Sequence, residues 1–66
     1  MDATSFAEAL EDLLGDVPEE AELYGKIERT SSFENSGVLT TNAGLIVRTQ
    51  DGTEFQVTVV RSRLGG

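Results

Sequence analysis

The segment from Ala43 to Arg61 constrains the fold of this chain more than any other, because it has the pattern of a β-hairpin. Two stretches of alternating apolar and polar residues flank the sequence Gln50-Asp51-Gly52, and Asp-Gly is typical of a tight turn. Side chains alternate between the two faces of a strand, so a shift of one residue exchanges the faces. The register of this hairpin therefore decides which residues are buried.

Two registers are compatible with the turn. A two-residue loop, Asp51-Gly52, leaves both faces of the hairpin with mixed polarity. A three-residue loop, Gln50-Asp51-Gly52, closes with the glycine in the left-handed conformation and forms a G1 bulge. This register also places Arg48 opposite Glu54. It is favoured because one face then carries only apolar side chains, namely Ala43, Leu45, Val47, Phe55, Val57 and Val59.

The N-terminal part of the chain has the clearest helical pattern. Ser5 and Glu8 form an S-x-x-E capping box, and Gly15 follows the last apolar residue, where a left-handed residue is expected. We predict a helix from about residue 5 to residue 14. Its apolar residues recur at helical spacing and would pack on the sheet: Phe6, Ala9, Leu10, Leu13 and Leu14.

The segments between the helix and the hairpin have weaker patterns. Residues 16–24 are compatible with a helical turn, which Pro18 and the neighbouring acidic residues favour, or with an extended connector. Residues 22–30 alternate like a strand, and Gly25 within them suggests a bulge. Phe33 lies in a loop of polar composition, and we predict that it covers the end of the core.

Together these elements predict one α+β domain over residues 1–66. The N-terminal helix would pack on one face of a three- to four-stranded antiparallel meander sheet. The predicted strands are 22–30, 38–41, 44–49 and 53–61, and residues 64–66 would form a flexible tail. The predicted core contains Phe6, Ala9, Leu10, Leu13, Leu14, Leu23, Ile27, Leu45, Val47, Phe55, Val57 and Val59.

The composition excludes several chemistries. The chain has no cysteine and no histidine, which excludes disulfides, thiolate nucleophiles, ordinary zinc ligation and histidine acid–base catalysis. Neither glycine-rich phosphate motif occurs. We therefore predict a non-enzymatic protein without cofactor or metal. No apolar run has the length of a membrane span, and no secretion signal opens the chain, so a soluble, cytoplasmic protein is expected.

The charge is divided unevenly along the chain. The net charge is −7, and residues 1–25 contain eight acidic residues and no basic one. Such a field repels phosphate backbones, so direct nucleic-acid binding is not expected, whereas a basic protein surface is attracted. We predict an interaction protein, of the compositional class of phage-encoded inhibitors and nucleic-acid mimics. Its partner-binding residues would be Glu8, Glu11, Asp12, Asp16, Glu19 and Glu20.

Two alternative functions remain open. The terminal Gly65-Gly66 is similar to the tail of ubiquitin-like and sulfur-carrier proteins, and this resemblance implies a carrier that acts through an activated C-terminus. Those domains begin with a hairpin, whereas this chain begins with a helix. The other alternative is a self-associating structural subunit, because Ile46 and Val60 lie on the sheet face away from the helix and would support a homodimer.

Overall fold

The computed structural model describes residues 1–37 and 42–63. Its helices are α1 (Ala3–Gly15) and α2 (Phe33–Ser36), and its strands are β1 (Ile27–Ser32), β2 (Ala43–Thr49) and β3 (Glu54–Val59). The strands form an antiparallel sheet in the order β1-β2-β3. The predicted α+β fold with an N-terminal helix and an antiparallel meander is confirmed. The predicted strand 38–41 and tail 64–66 lie outside the described residues.

The hairpin has the three-residue loop that the apolar alternation favoured. The pairing places Val47 opposite Phe55. The N–H of Thr49 donates to the carbonyl of Thr53 at 2.8 Å, and the N–H of Gly52 donates to the carbonyl of Thr49 at 3.0 Å. Gly52 has a φ of +89°, the left-handed conformation that a G1 bulge requires. The predicted register is therefore confirmed.

Strand β1 begins at Ile27, later than the predicted start at residue 22. The preceding residues form successive turns instead, in which the N–H groups of residues 21, 24 and 26 donate to the carbonyls three positions earlier, each at 3.0 Å. This segment is closer to the predicted helical turn than to the extended alternative. Gly25 has a φ of +73°, which ends the turns, and the strand irregularity lies between Ile27 and Arg29 rather than at the glycine.

The ends of α1 differ from the predicted caps. Asp2 is the N-cap, and its carboxylate accepts a hydrogen bond from the N–H of Ser5 at 2.7 Å. The predicted capping box of Ser5 and Glu8 was wrong. The helix begins at Ala3, one turn earlier than that box requires, and Asp2 caps its first turn. Gly15 is the last helical residue and does not have a positive φ. The predicted left-handed glycine cap was therefore also wrong.

Helix α1 packs mainly across β1 and β2, and less extensively on β3. Ala7 is buried against the sheet, whereas Phe6 and Leu13 are 50% and 65% exposed. Ala3, Leu10 and Leu14 are half-buried beside Ala7. The face of α1 that packs on the sheet is thus rotated about the helix axis by roughly a fifth of a turn from the centre of the apolar face predicted from the sequence. Small side chains at a helix contact permit a close approach, which explains why alanines occupy it.

The core of the described residues is smaller than predicted. Its buried hydrophobic residues are Ala7, Phe33, Leu45 and Val47, with Leu45 fully buried. The prediction for Phe33 is confirmed, since it is 5% exposed. Half of the other predicted core residues are half-buried, namely Leu10, Leu14, Ile27, Val57 and Val59. The prediction was wrong for Phe6, Ala9, Leu13, Leu23 and Phe55, which are exposed.

Phe33 is accommodated in the core by a glycine in β2. A Cβ atom at Gly44 would collide with the Phe33 ring and with the carbonyl oxygen of Val57. The backbone of β2 is itself buried at this position. Gly44 is therefore required by the close approach of an aromatic ring and a neighbouring strand, and not by an unusual backbone conformation.

We expect Gly44→Ala to destabilise the protein by about 1–3 kcal/mol, because the added methyl group overpacks a rigid contact. Gly15→Ala is the matched control. A Cβ at Gly15 meets nothing within 4 Å, and alanine in a helix is favoured over glycine by about 0.5–1 kcal/mol. Urea unfolding of the two variants should give changes of opposite sign. Equal effects would contradict the described packing of Phe33 on Gly44.

The hydrogen bonds of the hairpin turn lead to a prediction for the pKa of Asp51. The hydroxyl of Thr49 and the N–H of Thr53 both donate to the Asp51 carboxylate, and these bonds lower the Asp51 pKa below its ordinary 3.8. A lowered pKa contributes stability that is present above the ordinary value and is lost as the pH falls through the folded value. We expect Thr49→Val to raise the Asp51 pKa in a carboxyl NMR titration.

Asp2 is the internal control for this titration. Its pKa is lowered by the N–H of Ser5, at the opposite end of the sequence from the turn, and should not respond to Thr49→Val. A variant in which both pKa values move together would indicate a global change of structure. An unchanged Asp51 pKa would contradict the described hydrogen bond from Thr49.

Candidate functional site

Most of the predicted partner-binding residues lie on an exposed acidic surface. Glu8 and Asp12 are exposed on α1 and are one helical turn apart, and Asp16 follows as the exposed C-cap residue. Glu19 and Glu20 are exposed in the turn that follows. We call these five residues the acidic surface. Among the described residues, the recorded ion pair joins Arg48 to Glu28, so no base neutralises the acidic surface by direct contact.

Glu11 differs from the other predicted residues because it faces the sheet. It is half-buried, and its Oε2 accepts a hydrogen bond from the hydroxyl of Thr30 on β1 at 3.5 Å. A bond of this length is weak. It nevertheless shows that Glu11 lies over β1, on the side of α1 away from Phe6. This residue therefore belongs to the packing of α1 as well as to its acidic side.

A hollow of about 230 Å³ lies between α1, α2 and the start of β2. Its walls carry the carboxylates of Glu8, Glu11 and Glu34, and its apolar part is formed by Ala7 and Phe33. We call it the acidic hollow. The sequence did not indicate that Glu34 joins the two helix residues. Carboxylates with an apolar floor suit an ammonium or guanidinium group with its aliphatic stem, and repel an anion.

Among the described residues, no three acidic side chains are grouped so that they could hold a metal ion. Neither described helix has both the length and the apolar composition needed to cross a bilayer. The described residues expose carboxylates on α1 and the following turn, and apolar side chains on α1 and β3.

The structure exposes an apolar surface that the sequence did not predict. It comprises Phe6 and Leu13 on α1, Leu23 in the following turn, and Phe55 on β3, and we call it the apolar flank. These side chains are 45–65% exposed. Phe6 lines one hollow of about 290 Å³ at the end of β3, and Leu23 and Phe55 line another of about 480 Å³.

The apolar flank was not predicted, because its residues lie on the apolar sides of the helix and of the hairpin and were therefore assigned to the core. Their exposure depends on which side of α1 docks. The one signal in the sequence was the pair Ala3 and Ala7, which are one turn apart and are small enough for close packing. Phe6 and Leu13 lie to one side of this pair, and Glu11 lies to the other.

The predicted dimer face is divided in the structure. Ile46 is half-buried on the sheet face away from α1, near the ion pair in which Arg48 Nε lies 3.2 Å from a Glu28 carboxylate oxygen. Both partners of that pair are partly exposed, so its contribution is at most about 1 kcal/mol. Val60 follows the end of β3 and lines the hollow beside Phe6. The surroundings of Ile46 and Val60 are therefore different.

The remaining sequence feature, Gly65-Gly66, lies outside the described residues, and the carrier hypothesis stays a prediction. No protein-family model, curated protein or solved structure matches this chain. Its function must therefore be inferred from the two surfaces that its own residues form, the acidic surface with its adjoining hollow and the apolar flank.

Proposed function

We propose that this protein is a non-enzymatic interaction protein that binds a basic surface of a macromolecular partner through its acidic surface. The observation that carries the proposal is the set of five exposed carboxylates, none of which has an ion-pair partner in the described part of the chain. Exposed charges of one sign increase the rate of encounter with an oppositely charged surface and orient it. The partner would be a protein, and its basic patch could be one that otherwise binds phosphate.

The sequence distribution of charge strengthens the attraction. Residues 1–25 have a formal charge of −8, because they contain eight acidic residues and no basic one. Charges attract over about 8–10 Å at physiological salt, so carboxylates along one helix and its following turn act on a partner together. By contrast, Glu54 on β3 has the basic residue Arg48 opposite it in the pairing of β2 with β3.

The acidic hollow would give the interaction its specificity. A lysine or arginine of the partner would place its charge near the glutamates that line the hollow, Glu8, Glu11 and Glu34, and its aliphatic stem against Phe33. An arginine would form bidentate hydrogen bonds that a lysine cannot. Glu11 is half-buried against the sheet beside Thr30, so this wall of the hollow has less side-chain freedom to lose when the partner binds.

The proposed location is the cytoplasm. A chain without cysteine is compatible with a reducing compartment. A binding protein of high negative charge also stays soluble at high concentration, since equal charges repel one another. An inhibitor that occupies the basic patch of an intracellular protein is the form of this function that the composition favours.

The proposal is tested by capture of the partner from the native host on immobilised protein, followed by elution with increasing salt. The purified partner is then titrated against Glu8→Gln/Asp12→Asn. Because both side chains are exposed, the variant should fold normally. We expect its Kd to rise at least about tenfold at low salt, with a reduced salt dependence.

The matched control is Glu28→Gln/Glu54→Gln, which removes the same charge from the sheet. Its Kd should change by less than about threefold, because charges outside the contact act only through the overall field. Binding that is insensitive to salt would contradict the proposal. So would a partner for which the helix variant and the sheet variant have the same affinity.

A further inference from the structure

Strand β3 is an unprotected edge of the sheet. Natural edge strands are usually protected from pairing by charges, prolines or bulges. In the described sheet β1 is the other edge, and it carries Glu28, Arg29 and a register shift between Ile27 and Arg29. Strand β3 has one charged residue, Glu54, and pairs with β2 without a register shift. Among the described residues, the edge that is open to a further strand is therefore that of β3.

The face of β3 that points toward α1 is only partly covered. Phe55 is 53% exposed, and Val57 and Val59 are half-buried. Helix α1 lies mainly on β1 and β2, and its exposed Phe6 lines a hollow with Val59 and Val60 at the end of β3. Leu13 is exposed on the same side of the helix as Phe6. An open strand edge, an uncovered strand face and an exposed helix flank are thus continuous on one side of the molecule.

The charges at the two ends of β3 favour a second copy of this chain as the partner of this edge. Asp51 and Glu54 lie at the start of the strand, and the exposed residues Arg61 and Arg63 follow its end. When two copies of a strand pair antiparallel, the start of each lies beside the end of the other. With Val57 at the two-fold axis, Glu54 lies opposite Val60 of the second copy, which Arg61 follows. Opposite charges then lie near one another at both ends of the pair.

We propose that two copies of this chain pair antiparallel through β3 and form a continuous six-stranded sheet. The two-fold axis is perpendicular to the sheet, so both α1 helices lie on the same face. The apolar residues Phe55, Val57 and Val59 of the two copies adjoin, and Phe6 and Leu13 of each helix border them. This surface is on the other side of α1 from Glu11 and the acidic hollow. The proposal is therefore independent of the partner-binding function.

The first test is the mass in solution, measured by sedimentation equilibrium from about 1 µM to 1 mM, the range of moderate affinities. We expect a reversible dimer of twice the 7.1 kDa monomer mass. Leu13→Lys and Phe55→Lys change exposed side chains and should raise the dimer Kd at least about tenfold. Glu8→Gln alters the charge equally on the acidic side and should leave the dimer intact. Circular dichroism verifies the fold of each variant.

The second test locates the axis. The natural sequence contains no cysteine, so a single introduced cysteine forms a disulfide only with its copy. Val57→Cys should oxidise to a covalent dimer rapidly, because a residue on the axis of an antiparallel pair lies about 4.5–5.5 Å from its copy, measured between Cβ atoms. Thr53→Cys is the control and should oxidise slowly.

The third test adds a charge. Val60→Lys places a cation opposite Glu54 of the second copy and should lower the dimer Kd, and addition of Glu54→Gln should remove that gain, which a change of monomer stability alone would not produce. A protein that is monomeric at all concentrations overturns the proposal. A dimer that tolerates Leu13→Lys and Phe55→Lys but is lost in Ile46→Lys also overturns it, because the opposite sheet face is then the interface.

Discussion

The burial of Leu45 and Val47 under α1 is the interaction on which the rest of the structure depends. Both residues lie on the central strand, and they need cover from a single helix of 13 residues. A helix is about 10–12 Å wide and strands are about 4.8 Å apart, so one helix covers about two strands. A sheet of three strands therefore keeps one strand only partly covered. The exposure of β3 follows from the size of the chain and not from a local irregularity.

The hairpin was predictable because its physical constraint is strict. The period of a strand is two, and one of the two registers gave an apolar face while the other did not. The left-handed residue that the three-residue loop requires is supplied by Gly52, whose φ is +89°. Phe33 was also predictable as cover for the core. The acidic surface followed from composition, since carboxylates without bases are seldom buried.

The orientation of α1 was not predictable in the same way. An apolar stripe that includes Phe6, Leu10 and Leu13 is wide, and several rotations of the helix bury part of it. In the folded chain α1 has the rotation about its axis that packs Ala7 on the sheet. The acidic hollow depends on the placement of Glu34 by α2, for which the sequence carries no periodic signal. The strand prediction at residues 22–30 failed at Gly25, where positive φ replaced the extended conformation that alternation implied.

The irregularity in β1 between Ile27 and Arg29 has a consequence for how far assembly can proceed. A sheet with two open edges adds chains at both ends and grows into a fibre, as edge-to-edge aggregates do. Here the bulge and the charges of β1 close one edge. In the proposed dimer, pairing through β3 would use the open edge of each chain, and the assembly would end at two subunits. The irregularity of a single strand would then limit a small, incompletely covered sheet to a particle of finite size.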